Sequence, residues 1–97
     1  MSAYAIMIRD KTKDAEEFAT YGKMAGAARV EGLKALAFYG KHEVVEGEPA
    51  EGVVILEFPD MAAAKAWYDS PAYQAALVHR LKGADYRVIF VEGLGSV

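Results

Sequence analysis

The sequence predicts an α+β domain of order β-α-β-β-α-β, with two helices on one face of a four-stranded antiparallel sheet. Three observations lead there. Four short runs rich in β formers fall at residues 3–9, 33–45, 53–58 and 85–92. Stretches of helical periodicity lie between the first and second runs and between the third and fourth. No linker, low-complexity tract or strong repeat interrupts the 97 residues, a length that fits one domain over residues 1–97.

The elements follow in order. After the first strand, Asp14 can cap a helix, and Glu17 can reach back to it as in a capping box. Phe18, Tyr21, Ala25 and Ala28 recur at helical spacing, which carries the first helix to about Val30, with Gly32 as its stop. The second strand, residues 33–45, should place Leu36, Phe38 and Val44 on one face and Ala35, Ala37 and Tyr39 on the other. A polar turn-rich loop, residues 46–52, leads to the third strand. Asp60 is an N-cap for a helix over residues 61–68, and Ser70-Pro71 restarts it to about Leu81, with Ser at the cap and Pro at the first helical position. The last strand ends at Glu92, and residues 93–97 form a short tail. This is the split ferredoxin-like arrangement.

Two helices cover only one face of such a sheet, so the other face should alternate to polar. It does not. The first strand offers Ala3, Ala5 and Met7 on one side and Tyr4, Ile6 and Ile8 on the other. The third offers Val54, Leu56 and Phe58 against Val53 and Ile55, and the fourth Tyr86, Val88 and Phe90 against Ile89 and Val91. An uncovered second face would exceed the apolar patch a monomer usually leaves exposed. The simplest cover is the same face of a second copy, so the expected partner is a homodimer mate.

Composition narrows function without naming it. The net charge of −3 lacks the basic footprint of a nucleic-acid binder. With no cysteine, disulfides and thiolate chemistry are excluded. The start of the chain reads as neither a signal peptide nor a membrane span, so the cytoplasm is the expected location. Gly93-Leu94-Gly95 is no dinucleotide fingerprint, because no helix follows it, and no cofactor is expected. His42 and His79 have no companions at metal-ligand spacing, so no metal is expected either.

The stretch EFPDMAAAKAWYDSPAYQ, residues 57–74, closely resembles the hallmark segment of domain-of-unknown-function family 1330. AYAI near the start, DAEEFATY in the first helix, VVEG before the third strand and VEG after the fourth fit as well. The resemblance implies a dimeric α+β barrel, in which two ferredoxin-like sheets face each other. It implies no particular activity. The wider superfamily includes cofactor-independent monooxygenases, small isomerases, dehalogenase-like proteins and stress proteins. Such families usually carry two glycines and a basic residue after the first helix, where this chain has Gly32-Leu33-Lys34.

Glu57 is the odd residue of an apolar strand, on the face of Val53 and Ile55. It is a candidate general acid or base. The plain alternative is a structural ion pair with Lys34 or Arg87. Trp67, Ser70 and Tyr73 form a second constellation; Trp67 and Tyr73 suit either core or pocket wall, whereas Ser70 is accounted for by capping. Tyr21 reads as core with its hydroxyl available to a pocket. His79 and Arg80 fall in a last helical turn, where positive charge complements the dipole. Arg80 also matches a basic position in the family, which keeps an anion-binding role open. The ligand-pocket candidates are therefore Tyr21, Lys34, Trp67, Ser70, Tyr73 and Arg80. Two functions fit. One is a small-molecule-binding protein, extending to a cofactor-independent enzyme, with an apolar pocket between sheet and helices. The alternative is a non-enzymatic dimeric binding or stress-response module.

Overall fold

A computed structural model describes residues 1–94. Its elements are β1 (Ala3–Thr12), α1 (Ala15–Ala27), β2 (Lys34–Phe38), β3 (Gly52–Phe58), α2 (Met61–Asp69), α3 (Pro71–Gly83) and β4 (Ala84–Glu92). The strands form one antiparallel sheet in the order β2-β3-β1-β4. The predicted ferredoxin-like order is present, with the second helical region broken into α2 and α3. Of the tail, the Gly93 N–H donates to the Ser2 carbonyl at 2.7 Å, and residues 95–97 lie outside the described residues. Among the described residues no helix is long and apolar enough to cross a membrane.

Alternation divides the sheet into two faces. Ala3, Ala5, Met7, Val54, Leu56 and Phe58 are buried on the helix side. Tyr4, Ile6, Ile8, Val53, Ile55 and Glu57 alternate with them on the open side and are only half-buried. In register across this open face, Ile55, Ile6 and Ile89 form one row, and Lys34, Glu57, Tyr4 and Val91 another. Ile89 and Val91 remain exposed. Among the described residues of one chain nothing covers this side.

The helix starts follow local chemistry. Asp14 accepts from the N–H groups of Glu16 and Glu17 at 3.0 and 3.2 Å, and Asp60 accepts from Ala63 at 2.7 Å. Glu17 does not reach back to close a capping box; its carboxylate meets His79 Nδ1 at 2.5 Å. The Asp14 N–H is instead taken by Gly83. At the α2–α3 break, Ser70 Oγ accepts from the Tyr73 N–H at 3.2 Å and donates to the Trp67 carbonyl at 2.7 Å, so one hydroxyl closes one helix and opens the next.

Three boundaries differ from expectation. α1 stops at Ala27 rather than Val30, because the Ala28 N–H is shared between the Met24 and Ala25 carbonyls, which tightens the last turn. Gly32, at φ +90°, serves the turn into β2 instead of ending the helix. β1 runs on to Thr12, past a bulge between Arg9 and Lys11. β2 covers only Lys34–Phe38, not residues 33–45. A register shift between Ala35 and Ala37 adds a residue at Leu36, so Phe38 pairs with Val54 and joins Ala35 on the helix side. The predicted pairing of Leu36 with Phe38 on one face is thereby broken. Tyr39 then takes φ +54°, a left-handed conformation that turns the chain out of the sheet.

The close contact of this fold is at Gly83. Its carbonyl accepts from both Lys13 and Asp14, at 2.7 and 3.0 Å. A Cβ at Gly83 would lie 2.6 Å from the Phe18 nitrogen and 2.9 Å from its α-carbon. Both are backbone atoms, so they cannot move aside without separating α1 from α3. Gly83→Ala should therefore lose about 1–3 kcal/mol of stability, as overpacking does. Urea unfolding checks this; an unchanged midpoint would mean the two helices are not held together here.

Candidate functional site

α1 packs chiefly against α3 and stands away from the β2–β3 half of the sheet. Its residues over that half are small: Ala19, Gly22, Ala25 and Gly26. Gly22 and Gly26 are one turn apart inside a helix, where each costs about 1 kcal/mol relative to Ala. A Cβ at either would meet nothing within 4 Å. The space left is a cavity of about 390 Å³, within the size range of small-molecule sites. Met7, Ala35, Val54 and Leu56 form its floor; Phe18, Tyr21, Tyr39, Leu33 and Trp67 wall it. Phe38, 69% exposed, lies on its rim with Arg29. Leu33, where the family pattern has a second glycine, thus contributes an apolar side chain to the cavity.

Behind the Tyr21 wall lies a buried polar chain. The Tyr21 and Tyr73 hydroxyls are 2.8 Å apart, and Arg80 Nη1 donates to the Tyr73 hydroxyl at 3.1 Å. Arg80 is 5% exposed, its guanidinium lies 5.1 Å from the Tyr86 ring centroid, and no carboxylate pairs with it among the described residues. Arg80 Nε and Trp67 Nε1 are buried without hydrogen-bond partners. The Tyr86 hydroxyl bonds to that of Tyr39. Arg9 lies over Phe18 and Tyr39, 4.5 and 4.8 Å from their centroids. Burial, the largest cause for each, pushes the Tyr21, Tyr73 and Tyr86 phenols above the usual tyrosine range, so all three are protonated donors at neutral pH.

The sequence candidates distribute as follows. Tyr21 and Trp67 line the cavity. Tyr73 is fully buried one layer behind, packed against Trp67 in a tilted arrangement with centroids 4.2 Å apart. Arg80 lies in the last turn of α3, as its position suggested, and turns inward to Tyr73. Ser70 is occupied with capping. Lys34 is exposed and in register with Glu57 on the open face, away from the cavity. Glu57 is half-buried on that same face, and no ion pair or side-chain hydrogen bond forms at it among the described residues. Arg87, its other expected partner, is engaged by Asp10 through two bonds of 3.0 and 3.2 Å. His42 contacts the Ala50 carbonyl in the exposed loop. Among the described residues no group of His, Asp or Glu is placed to hold a metal. Gly22, Gly26, Phe38, Tyr39 and Tyr86 belong to the site without having been anticipated. The available signal was the pair of glycines inside a helix.

The fold and cavity define a ferredoxin-like α+β protein with a partly open, aromatic-walled site. Solved structures agree on the fold. A protein of unknown function from Rhodopseudomonas palustris is 24% identical, with 98% of this chain and 84% of that one covered and a TM-score of 0.73. A dimeric protein of unknown function and ferredoxin-like fold from Bacteroides fragilis is 16% identical, covering 95% and 96%, with a TM-score of 0.63. SnoaB, a cofactor-independent oxygenase from Streptomyces nogalater, is 12% identical, covering 99% and 95%, with a TM-score of 0.59. No functionally curated protein matches the chain. The family model for the domain of unknown function DUF1330 matches residues 2–94, and the chain belongs to that family.

The raised phenols link the site to alkaline stability. An unfolded tyrosine ionises near pH 10, at about the reference value. Above that pH the folded state keeps protons the unfolded state has lost, so stability is full below about pH 10 and falls as the pH rises. The slope should reach about 1.4 kcal/mol per pH unit for a phenol raised as far as Tyr21. Urea midpoints between about pH 8 and about pH 11 should show the loss, and Tyr21→Phe should make it shallower. Equal slopes in the two proteins would show that Tyr21 ionises as freely in the fold as outside it.

Proposed function

We propose that this protein binds a small, largely apolar molecule in the cavity beneath α1 and works as a homodimer through its open sheet face. The cavity beside Tyr21 and Trp67 is the observation that carries the reading. A structural module without a ligand has no use for two glycines inside a helix, each costing stability. It would fill the space beside Trp67, where a cavity of about 390 Å³ stands. The likeness to a cofactor-independent oxygenase reaches the fold only, so a reaction on the bound molecule remains an extension of this reading. Dimerisation is supported by the apolar rows around Ile6, Ile55 and Ile89, and by the dimeric state named for the Bacteroides protein. Glu57 and Lys34 would then lie at that interface.

Trp67 is the single tryptophan, so its fluorescence reports on the cavity. Titration with 4-nitroanisole should quench it saturably. Gly26→Leu puts a side chain into the space and should weaken the probe by about ten-fold or more, roughly 1.4 kcal/mol. An unsaturable response, or equal binding to Gly26→Leu, would remove the cavity as the site.

Light scattering at micromolar concentration should give twice the chain mass, for an interface on the order of 1,600 Å². Ile55→Lys, on the open face, should shift the mass to that of one chain or unfold the protein. A wild-type monomer, or an unchanged dimer in the variant, would contradict the assigned face.

A further inference from the structure

We propose, resting on the cavity reading above, that the bound molecule is a planar weak acid of the phenol or enol class, held as its anion with its oxygen on the Tyr21 hydroxyl. The direction of the buried hydrogen bonds leads there. Arginine only donates, so the Tyr73 oxygen accepts from Arg80. Tyr73 is 0% exposed, and the Tyr21 hydroxyl is its other hydrogen-bond partner among the described residues, so its proton points to the Tyr21 oxygen. Tyr21 then keeps its own proton, with no described acceptor for it, and Tyr21 is the member of this chain that lines the cavity. Two phenols therefore carry the positive charge of Arg80 to the bound molecule as a polarised O–H donor.

The charge itself is uncompensated. A buried guanidinium is ordinarily paired, because taking it from water costs several kcal/mol. Arg80 has one phenol oxygen and the face of Tyr86, and its Nε is unpartnered. An anion in the cavity supplies the missing counter-charge. The rest of the site asks for a flat, apolar body: Phe18, Tyr39 and Trp67 present aromatic surface, and Trp67 Nε1 is a second unused donor. The protein's net charge of −3 works against anions in general. The cations that face the cavity are Arg29 on its rim and Arg9 over the Phe18 and Tyr39 rings, and Arg80 is the one that reaches it through the buried phenols.

The sign of one measurement separates this from a merely greasy pocket. An apolar cavity raises the pKa of a bound phenol, because burial disfavours the charged form. The Arg80–Tyr73–Tyr21 relay lowers it. With 4-nitrophenol as probe, read by the phenolate absorbance and by Trp67 quenching, the bound pKa should fall by about one unit, a ten-fold preference for the anion. At a pH where the probe is ionised, 4-nitrophenolate should bind about ten-fold more tightly than its methyl ether, 4-nitroanisole. Arg80→Met removes the cation behind Tyr73, and Tyr21→Phe removes the terminal donor; in each the affinity ratio should drop to about one or below, and the bound pKa should rise. Should Arg80→Met fail to fold, Tyr21→Phe decides alone. Equal affinities in the wild type, a raised bound pKa, or a preference that survives Tyr21→Phe would overturn the acid assignment while leaving the cavity in place. Failure of both probes to bind would overturn the cavity reading and this one with it.

Discussion

Two backbone N–H groups converge on the Gly83 carbonyl, and the absence of a side chain there lets the first turn of α1 lie against the end of α3. Much of the remaining structure depends on that junction. It makes α3, rather than the sheet, the surface on which α1 rests. Tyr21 is thereby brought to Tyr73, while the sheet-facing side of α1, with only Ala and Gly at its centre, is left above an open space. The junction also lies where β1 ends and β4 begins, at the Thr12–Ala84 pair, so the central strands and both long helices meet at one point.

The aromatic cluster offsets what the cavity gives up. Phe58, Trp67 and Tyr73 pack with centroids 5.3 and 4.2 Å apart, and Tyr68 bridges Tyr73 to Phe90. Each such side chain buries a large area and contributes stability beyond that area through ring geometry. The cluster lies under α2 and the start of α3, beside the cavity rather than across it. One half of the helix layer is thus densely filled and the other half is hollow. Trp67 belongs to both, and the Ser70 hydroxyl sets its place by bonding the Trp67 carbonyl from the N-cap of the next helix.

What was legible in the sequence was local or periodic. Strand alternation separated Val54 and Leu56 from Val53 and Ile55 correctly, because a period of two survives wherever the strand is regular. Asp14, Asp60 and Ser70 were readable as caps because a cap needs only its own neighbours. β2 was readable as a strand but not in its end or its faces, since the extra residue at Leu36 and the left-handed Tyr39 depend on what β3, Tyr86 and Arg9 place beside them. Arg80 was readable as a last-turn cation, a position that says nothing of burial; its burial follows from the packing of α3 on α1 and β4. Lys34 entered the candidate list through family resemblance, and its pairing with Glu57 puts it on the other side of the sheet. The cavity was the least legible feature, because it is made by distances between elements remote in the chain.

The alternation of β3 has a consequence for how such a protein can change over time. Val54 and Leu56 face the hollow beneath α1, while Val53, Ile55 and Glu57 face away from it. Neighbouring positions on one short strand therefore answer to different environments across the thickness of a single sheet. Point substitutions at even positions can reshape the interior space and leave the outer face as it was, and those at odd positions can do the converse. Insertion or loss of one residue has no such freedom, because it exchanges the two sets at once. Lineages of this fold should diversify along β3 by replacement, and change length in the segment between Tyr39 and Glu51, where no ladder has to be kept in step.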